Sequence, residues 1–149
     1  MTREVGTPPA ARAPSHFRPL TEERCRELLA SRHEGRIAWA APDGPQLLPV
    51  SYVLHRGEVA FRTSPYGVLS QLQRPTLVAF EIDDLRPADG VGWSVLVRGL
   101  AEPVTSPSDL STLWADQELV PWATGTRNLV VLVRERSISG RSVSAPRAG

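Results

Sequence analysis

The chain has 149 residues, with 17 basic and 16 acidic side chains and a formal net charge of +1. This length suits one domain with a substantial core, and the balanced charge gives no general case for binding nucleic acid. No apolar run approaches the roughly 20 residues of a membrane-spanning helix, and the amino terminus lacks the pattern of a secretion signal. The only cysteine, Cys25, cannot form an internal disulfide, so we expect a cytoplasmic protein.

The ends of the chain differ in composition from its middle. Residues 1–16 are rich in Pro, Ala and Arg, which predicts a disordered tail before one domain over residues 17–141. We expect residues 142–149 to form a flexible tail as well. The domain is predicted to open with a helix that Thr21 caps and that ends near Gly35.

The stretch 47–72 carries the clearest pattern of strands. Side chains alternate between two faces over residues 48–54, which predicts one continuous strand. Gly57 lies in the reversal that follows, and a hairpin favours glycine there because glycine accepts a positive φ without steric cost. The return strand is predicted to end around Thr63.

Polar groups meet where this return strand ends. Arg62, Thr63 and Ser64 supply a cation and two hydroxyl groups, and Pro65 suits the first turn of a helix that Ser64 would cap. The free N–H groups at a helix start attract anions. The pattern indicates either a phosphate site or an ordinary capped helix beside a solvated arginine, and composition alone favours the second.

Other strands are predicted on both sides of this hairpin. They fall at residues 36–41, 76–82, 91–100 and 128–134, with a bulge at Gly99 and a second helix after Ser106. The apolar run 128–134 is expected to be covered on both faces. The acidic loop 83–90 has no histidine or second acidic cluster near it, so we expect a solvated loop rather than a metal site. These patterns predict a small antiparallel β-barrel with a few short helices.

The motifs of a self-sufficient enzyme are missing from the sequence. It contains no Ser-His-Asp spacing, zinc pattern, P-loop or GxGxxG run. The histidines His16, His33 and His55 are predicted in a tail, at a helix end and in a turn, where we expect solvated side chains. If the protein catalyses a reaction, we therefore expect a bound cofactor to supply the reactive group.

The run PVSYVLHRGEVAFRT, with GRIAWA before it and VAFEID and GWSVLVRG after it, resembles the pyridoxamine 5'-phosphate oxidase-like family. The resemblance covers roughly residues 20–141. It implies a mainly β protein, an antiparallel, Greek-key-like FMN-binding split β-barrel that pairs into a homodimer with the cofactor at the subunit seam. It also implies an FMN-dependent oxidoreductase that acts on a small molecule.

Alternatives to this activity stay open. One is a non-catalytic cofactor-binding or sensing protein that carries flavin, deazaflavin or haem without turnover. Another is true oxidation of pyridoxamine 5'-phosphate, which is weaker because the short chain lacks an obvious extended carboxy-terminal substrate segment. A nucleic-acid-binding barrel is the least favoured, because no strand shows a regular platform of arginine and aromatic side chains.

The resemblance assigns cofactor contacts in several segments. The assigned residues are Val50, Ser51 and Tyr52 along the ring, Arg62, Thr63, Ser64, Val68 and Leu69 around the phosphate and ribityl chain, and Trp93, Trp122 and Arg127 from the partner subunit. Related sequences commonly carry a phosphate-binding lysine where this chain has Val68. Losing one charge-assisted contact costs about 1.5–3 kcal/mol, or roughly tenfold to a hundredfold in affinity. Arg62 and Arg127 are the candidates to compensate, and no catalytic residue is assigned.

Overall fold

The computed structural model describes residues 16–116 and 129–144. Its strands are β1 (His16–Pro19), β2 (Glu34–Ala41), β3 (Gly44–Ser51), β4 (Val53–His55), β5 (Glu58–Thr63), β6 (Thr76–Arg86), β7 (Val91–Pro103) and β8 (Leu129–Ser144). Its helices are α1 (Glu22–Ala30), α2 (Pro107–Ala115) and a 3₁₀ helix at Val68–Gln73. No helix in these ranges is long and apolar enough to cross a membrane.

All eight described strands join one antiparallel sheet, in the order β3-β2-β6-β7-β8-β5-β4 with β1 paired to β8. The long strand β8 is central, because β7 pairs along one edge of it while β5 and β1 share the other edge. Tyr52 alone separates β3 and β4 in the chain, so the two ends of the sheet lie close together. The sheet therefore curls on itself, and the predicted mainly β, antiparallel barrel class is confirmed.

The core lies inside the curled sheet and under α1. Interior side chains of β2, β5, β6, β7 and β8 pack together there with Cys25, Leu28 and Leu29 of α1. Cys25 is fully buried, and burial raises the pKa of its thiol. Since a reactive cysteine needs an accessible thiolate, Cys25 has a packing role.

A second apolar cluster lies on the other side of the sheet, beneath α2. Its buried members are Val53, Ala60, Leu113, Val130 and Leu132. The neighbouring residues Val131 and Val133 of β8 face the main core instead. Both faces of this apolar part of β8 are thus covered, which confirms the prediction made from its continuous apolar run.

The segment around Tyr52 confirms the hairpin but not the strand before it. Arg56 and Gly57 have positive φ values of 51° and 81°, as a two-residue type I′ turn requires. The single strand predicted across Tyr52 is wrong, because β3 ends before it and β4 begins after it. Tyr52 donates its backbone N–H to the carbonyl of His33 at 2.9 Å and its hydroxyl to the carbonyl of Leu29 at 2.6 Å. These contacts take Tyr52 out of the strand ladder.

The first helix ends at Ala30, so the predicted end near Gly35 is wrong. Ser31 closes the helix by donating its backbone N–H and its hydroxyl to the carbonyl of Leu28, at 3.1 and 2.7 Å. Gly35 lies in β2, where a side chain would overlap the ring of Phe80. The glycine is needed for this close packing rather than for a helix terminus.

The helix predicted directly after Ser64 is also wrong. The chain forms a 3₁₀ helix that begins at Val68, and Ser64 Oγ accepts a hydrogen bond from the N–H of Tyr66 at 3.2 Å. Leu69 and Leu72 both pack on the core, and residues three apart share one face of a 3₁₀ helix. The N–H groups of a helix start therefore do not lie at Ser64.

Strand β6 runs through half of the predicted acidic loop and ends at Arg86. Asp83 lies 2.9 Å from the guanidinium of Arg36, and Asp84 lies 3.0 Å from that of Arg32. Because the carboxylates are paired with cations of neighbouring segments, the strand tolerates them. The prediction of a loop beginning at Asp83 is wrong for this reason.

The sheet also extends beyond the predicted domain of residues 17–141. His16 pairs with Ser144 across β1 and β8, so residues 142–144 belong to the sheet rather than to a tail. This pairing joins the two ends of the described chain, and no local pattern reveals such a register. The remainder of both predicted tails lies outside the described residues.

Candidate functional site

The segment predicted to lie along the cofactor ring is mostly internal. Val50 and Tyr52 are buried, and the Tyr52 ring meets the ring of Phe80 edge to face, with centroids 4.9 Å apart. Burial raises the pKa of the Tyr52 hydroxyl well above its usual value, so the hydroxyl stays a neutral donor. Ser51 is half-buried and pairs with Glu34 of β2. A ligand beside this segment would contact Ser51 and backbone groups.

The three residues predicted to contact the phosphate lie at the end of β5, but their side chains do not all point to the same face of the sheet. Thr63 is buried, whereas Arg62 reaches across to α2, where its guanidinium carbon lies 4.2 Å from the centroid of the Trp114 ring. Successive side chains of a strand point to opposite faces, which accounts for this division. The structure thus brings Arg62 and Ser64 to one end of β5 and turns Thr63 inward.

Val68 and Leu69 lie at the start of the 3₁₀ helix. Leu69 packs against the core, while Val68 remains 47% exposed. The position at which related sequences commonly carry a lysine is therefore on the surface of this chain. Two further predicted residues, Trp122 and Arg127, lie outside the described residues.

Trp93 of β7 lies beside Arg32, whose guanidinium carbon is 5.1 Å from the centroid of the Trp93 ring. A nearby cavity of about 490 Å³ is lined by residues 31–36, Pro49, Ile82 and Asp83. Pro49 directly precedes the predicted ring segment, so this cavity lies beside that segment. The local sequence does not mark Arg32 as a site residue, because its partners Asp84 and Trp93 come from the distant strands β6 and β7.

The histidines differ in exposure: His16 and His33 are exposed, and His33 lines the cavity of about 490 Å³. His55 was predicted to be solvated, but its side chain is 10% exposed and Nε2 lies 3.0 Å from Asp109 Oδ1 of α2. That prediction is wrong because α2 folds back onto the hairpin turn. Across residues 16–116 and 129–144, no group of three or more His, Cys, Asp and Glu residues could hold a metal ion.

Glu81 lies on the outer face of β6 in an unusual electrostatic environment. Its Oε1 is buried and accepts no hydrogen bond from any described residue, and Arg36 Nη1 is 3.8 Å away. Burial, followed by the hydrogen bond and charge of Asp83, raises the pKa of Glu81 to about 7, and the Arg36 charge offsets part of this rise. The carboxyl group therefore titrates near neutral pH.

We expect the substitution Glu81→Gln to stabilise the protein above neutral pH. The folded-state pKa of about 7 exceeds the ordinary 4.5, so ionisation of Glu81 lowers the free energy of unfolding as the pH rises between these values. After allowance for partial solvent exposure, the gain is about 1 kcal/mol at about pH 8.5 and close to zero at about pH 4.5. Urea unfolding at both pH values measures it, with the exposed Glu23→Gln as control. An equal change in the free energy of unfolding at the two pH values would contradict the raised pKa of Glu81.

The curled antiparallel sheet with short helices packed on it defines a split β-barrel protein, and the solved structures below share this fold. The chain also matches the family described as pyridoxamine 5'-phosphate oxidase over residues 21–142. It belongs to that family, which confirms the resemblance drawn from the sequence.

Similar proteins cover most of the chain. It is 30% identical over 131 residues to Rv0080 of Mycobacterium tuberculosis, a protein of uncharacterised function, with 85% of each chain covered. It matches the structure of an FAD-binding protein from Mycobacterium smegmatis at 31% identity and a TM-score of 0.71, over 85% of this chain and 99% of that one. A candidate pyridoxamine 5'-phosphate oxidase from Corynebacterium glutamicum matches at 26% identity and a TM-score of 0.74, over 89% and 96% of the two chains.

Proposed function

We propose that this protein is a flavin-binding oxidoreductase that uses FMN to act on a small molecule. The observation that supports flavin binding is the similarity to the FAD-binding protein of M. smegmatis, which is 31% identical and matches 85% of this chain. The choice of FMN and the oxidoreductase activity follow from the family to which the chain belongs. A bound flavin supplies electron transfer, and the protein around it supplies position and electrostatics. Chemistry supplied by a cofactor agrees with a sequence that lacks the motifs of an enzyme that works without one.

The residues at the end of β5 fit a cofactor phosphate. Arg62 carries a permanent positive charge, and its guanidinium carbon lies 4.2 Å from the centroid of the Trp114 ring. Beside the predicted ring segment, the cavity of about 490 Å³ lies within the usual size of small-molecule sites, about 300–1000 Å³. Arg62 would therefore hold the phosphate, and Ser51 with its backbone neighbours would meet the ring.

Neither His55 nor Glu81 lines the cavity of about 490 Å³ as a catalytic acid or base. His55 is held by Asp109, and Glu81, whose pKa is about 7, lies on the outer face of the sheet. We therefore assign binding roles to Arg62 and Ser51. Proton exchange during turnover would come from water or from the substrate.

We also propose a homodimer that covers the outer face of β3, β2 and β6. Leu47 and Leu77 are 62% and 60% exposed on this face, with Ala38 and Ala79 between them in the register. Cavities of about 560 and 540 Å³ indent the same face. Because contiguous exposed apolar surface marks an interaction site, a second copy of the chain is the occupant we propose.

One chromatographic experiment tests the cofactor and the dimer. The purified chain is incubated with FMN, FAD, deazaflavin or haem and passed through a size-exclusion column with visible-absorbance and light-scattering detection. We expect stoichiometric FMN to co-elute with a species of twice the chain mass of 16.3 kDa. Failure to retain any flavin at high micromolar concentration would contradict the flavin role, and elution at the mass of one chain would contradict the dimer.

Turnover separates the enzyme from a binding protein. Repeated oxidation of a reduced nicotinamide, or reduction of an electron acceptor, by the flavin-loaded protein would support the oxidoreductase. Tight cofactor retention with no reaction across a broad panel of reductants would instead support the non-catalytic alternative. Release of pyridoxal phosphate from pyridoxamine 5'-phosphate would identify the narrower oxidase activity.

A further inference from the structure

Trp114 is placed to orient Arg62. The guanidinium carbon lies 4.2 Å from the centroid of the indole ring, inside the reach of about 6 Å for a cation–π contact. The two residues come from β5 and α2, so only the folded chain brings them together. Trp114 is 43% exposed, which places the stacked pair at the protein surface, where a ligand can reach it.

The position of Trp114 is set by the anchoring of α2. The preceding residue, Leu113, is 2% exposed within the second apolar cluster. At the other end of the helix, Asp109 Oδ1 lies 3.0 Å from His55 Nε2 and 3.2 Å from Arg56 Nη2. The hydrogen bond with His55 and the charge of Arg56 hold the pKa of Asp109 below its usual value, so the carboxylate stays charged at neutral pH. The helix is thus tied to the hairpin that leads into β5.

Stacking leaves the guanidinium suited to an anion. An aromatic ring takes the flat face of the group, whereas a phosphate takes the N–H groups in its plane. An indole therefore orients an arginine without adding a negative charge of its own. Restricting a flexible side chain before binding also removes part of the entropy lost on binding.

We propose that Trp114 is a positioning residue that presents Arg62 to the phosphate of the bound flavin nucleotide. This inference rests on the proposed flavin binding. It makes the preference for FMN over riboflavin depend on Trp114, because riboflavin has the same ring and ribityl chain but no phosphate.

The test compares FMN and riboflavin binding by the full chain and its variants. We expect Trp114→Leu to weaken FMN binding about tenfold and to change riboflavin binding by less than about twofold. Arg62→Gln should abolish the preference for FMN over riboflavin. The variant that carries both Trp114→Leu and Arg62→Gln should bind FMN no more weakly than Arg62→Gln alone. Trp114→Phe keeps an aromatic face and should retain most of the FMN affinity.

Tyr66→Leu is the matched control, because Tyr66 is an aromatic residue just beyond β5 that is 89% exposed. If Trp114 only held α2 in place, its loss would weaken both ligands alike. Either that result or unchanged FMN binding by Trp114→Leu overturns the positioning role of Trp114. The proposed flavin binding still stands in both cases if the wild-type chain binds FMN. A wild-type chain that binds neither ligand overturns both proposals. Trp114→Met replaces Trp114→Leu, with the same outcomes, if the leucine variant does not fold.

Discussion

Replacing Phe80 by alanine is expected to lower the free energy of unfolding by about 3–5 kcal/mol. Phe80 is fully buried, and its ring packs edge to face on that of Tyr52 with centroids 4.9 Å apart. Truncation opens a cavity over Gly35, which has no side chain to fill it. The aromatic pair adds about 0.5–1.5 kcal/mol beyond area burial. Because domains are stable by only about 5–15 kcal/mol, this variant should lose a large part of its stability.

Urea unfolding followed by tryptophan fluorescence measures the loss. Phe17→Ala is the control, since Phe17 is 65% exposed, and we expect a change below about 1 kcal/mol there. Phe80→Leu should recover part of the stability because it refills much of the cavity. A loss below about 1.5 kcal/mol for Phe80→Ala would contradict the expected rigidity of this part of the core.

A second large loss of stability is expected for Gly99→Ala, because one added Cβ has no room there. Gly99 lies at the bulge of β7, where the register with β8 shifts between Arg98 and Gly99. The new Cβ would overlap the backbone carbonyl of Arg134 in the paired strand. A main-chain atom in a sheet cannot rotate away as the end of a side chain can. We expect a loss of about 3 kcal/mol, or failure to fold.

Gly67→Ala provides the matched control for this overlap. Its φ is −87°, and a Cβ there would meet no heavy atom within 4 Å. Replacing glycine at such a position restricts the unfolded chain, so the stability should stay equal or rise by about 0.4–1 kcal/mol. The urea midpoints of Gly99→Ala and Gly67→Ala, each compared with that of the wild-type chain, measure the two effects. Equal midpoints would refute the close approach of β7 and β8 at the bulge.

Features that depend on near neighbours in the chain could be predicted. The alternation in β5 correctly separates Val59 and Phe61, which face the main core, from Ala60, which joins the second cluster. The turn at Gly57 and the bulge at Gly99 were also predicted, because each imposes a backbone conformation or close contact that glycine accommodates.

The candidate site was only partly predictable for the same reason. Arg62 and Ser64 stand close together in sequence, so a possible phosphate site could be named from them. The local sequence does not mark Trp114 as a site residue, since its contact with Arg62 depends on how α2 packs. The raised pKa of Glu81 likewise depends first on burial, which the packing of the sheet decides, with a further contribution from Asp83 in the same strand.

The resemblance of the motifs was therefore enough to identify the family. Local sequence was enough to predict the strand faces and the tight turns, because contacts within a few residues specify those features. It was not enough to show that Tyr52 leaves the ladder, that α1 stops at Ala30, or that Arg62 stacks on Trp114. Each of these follows from partners distant in the chain, brought together only when the sheet curls and the helices pack on it. Packing energy gained between distant segments outweighs the weaker local preferences at these positions.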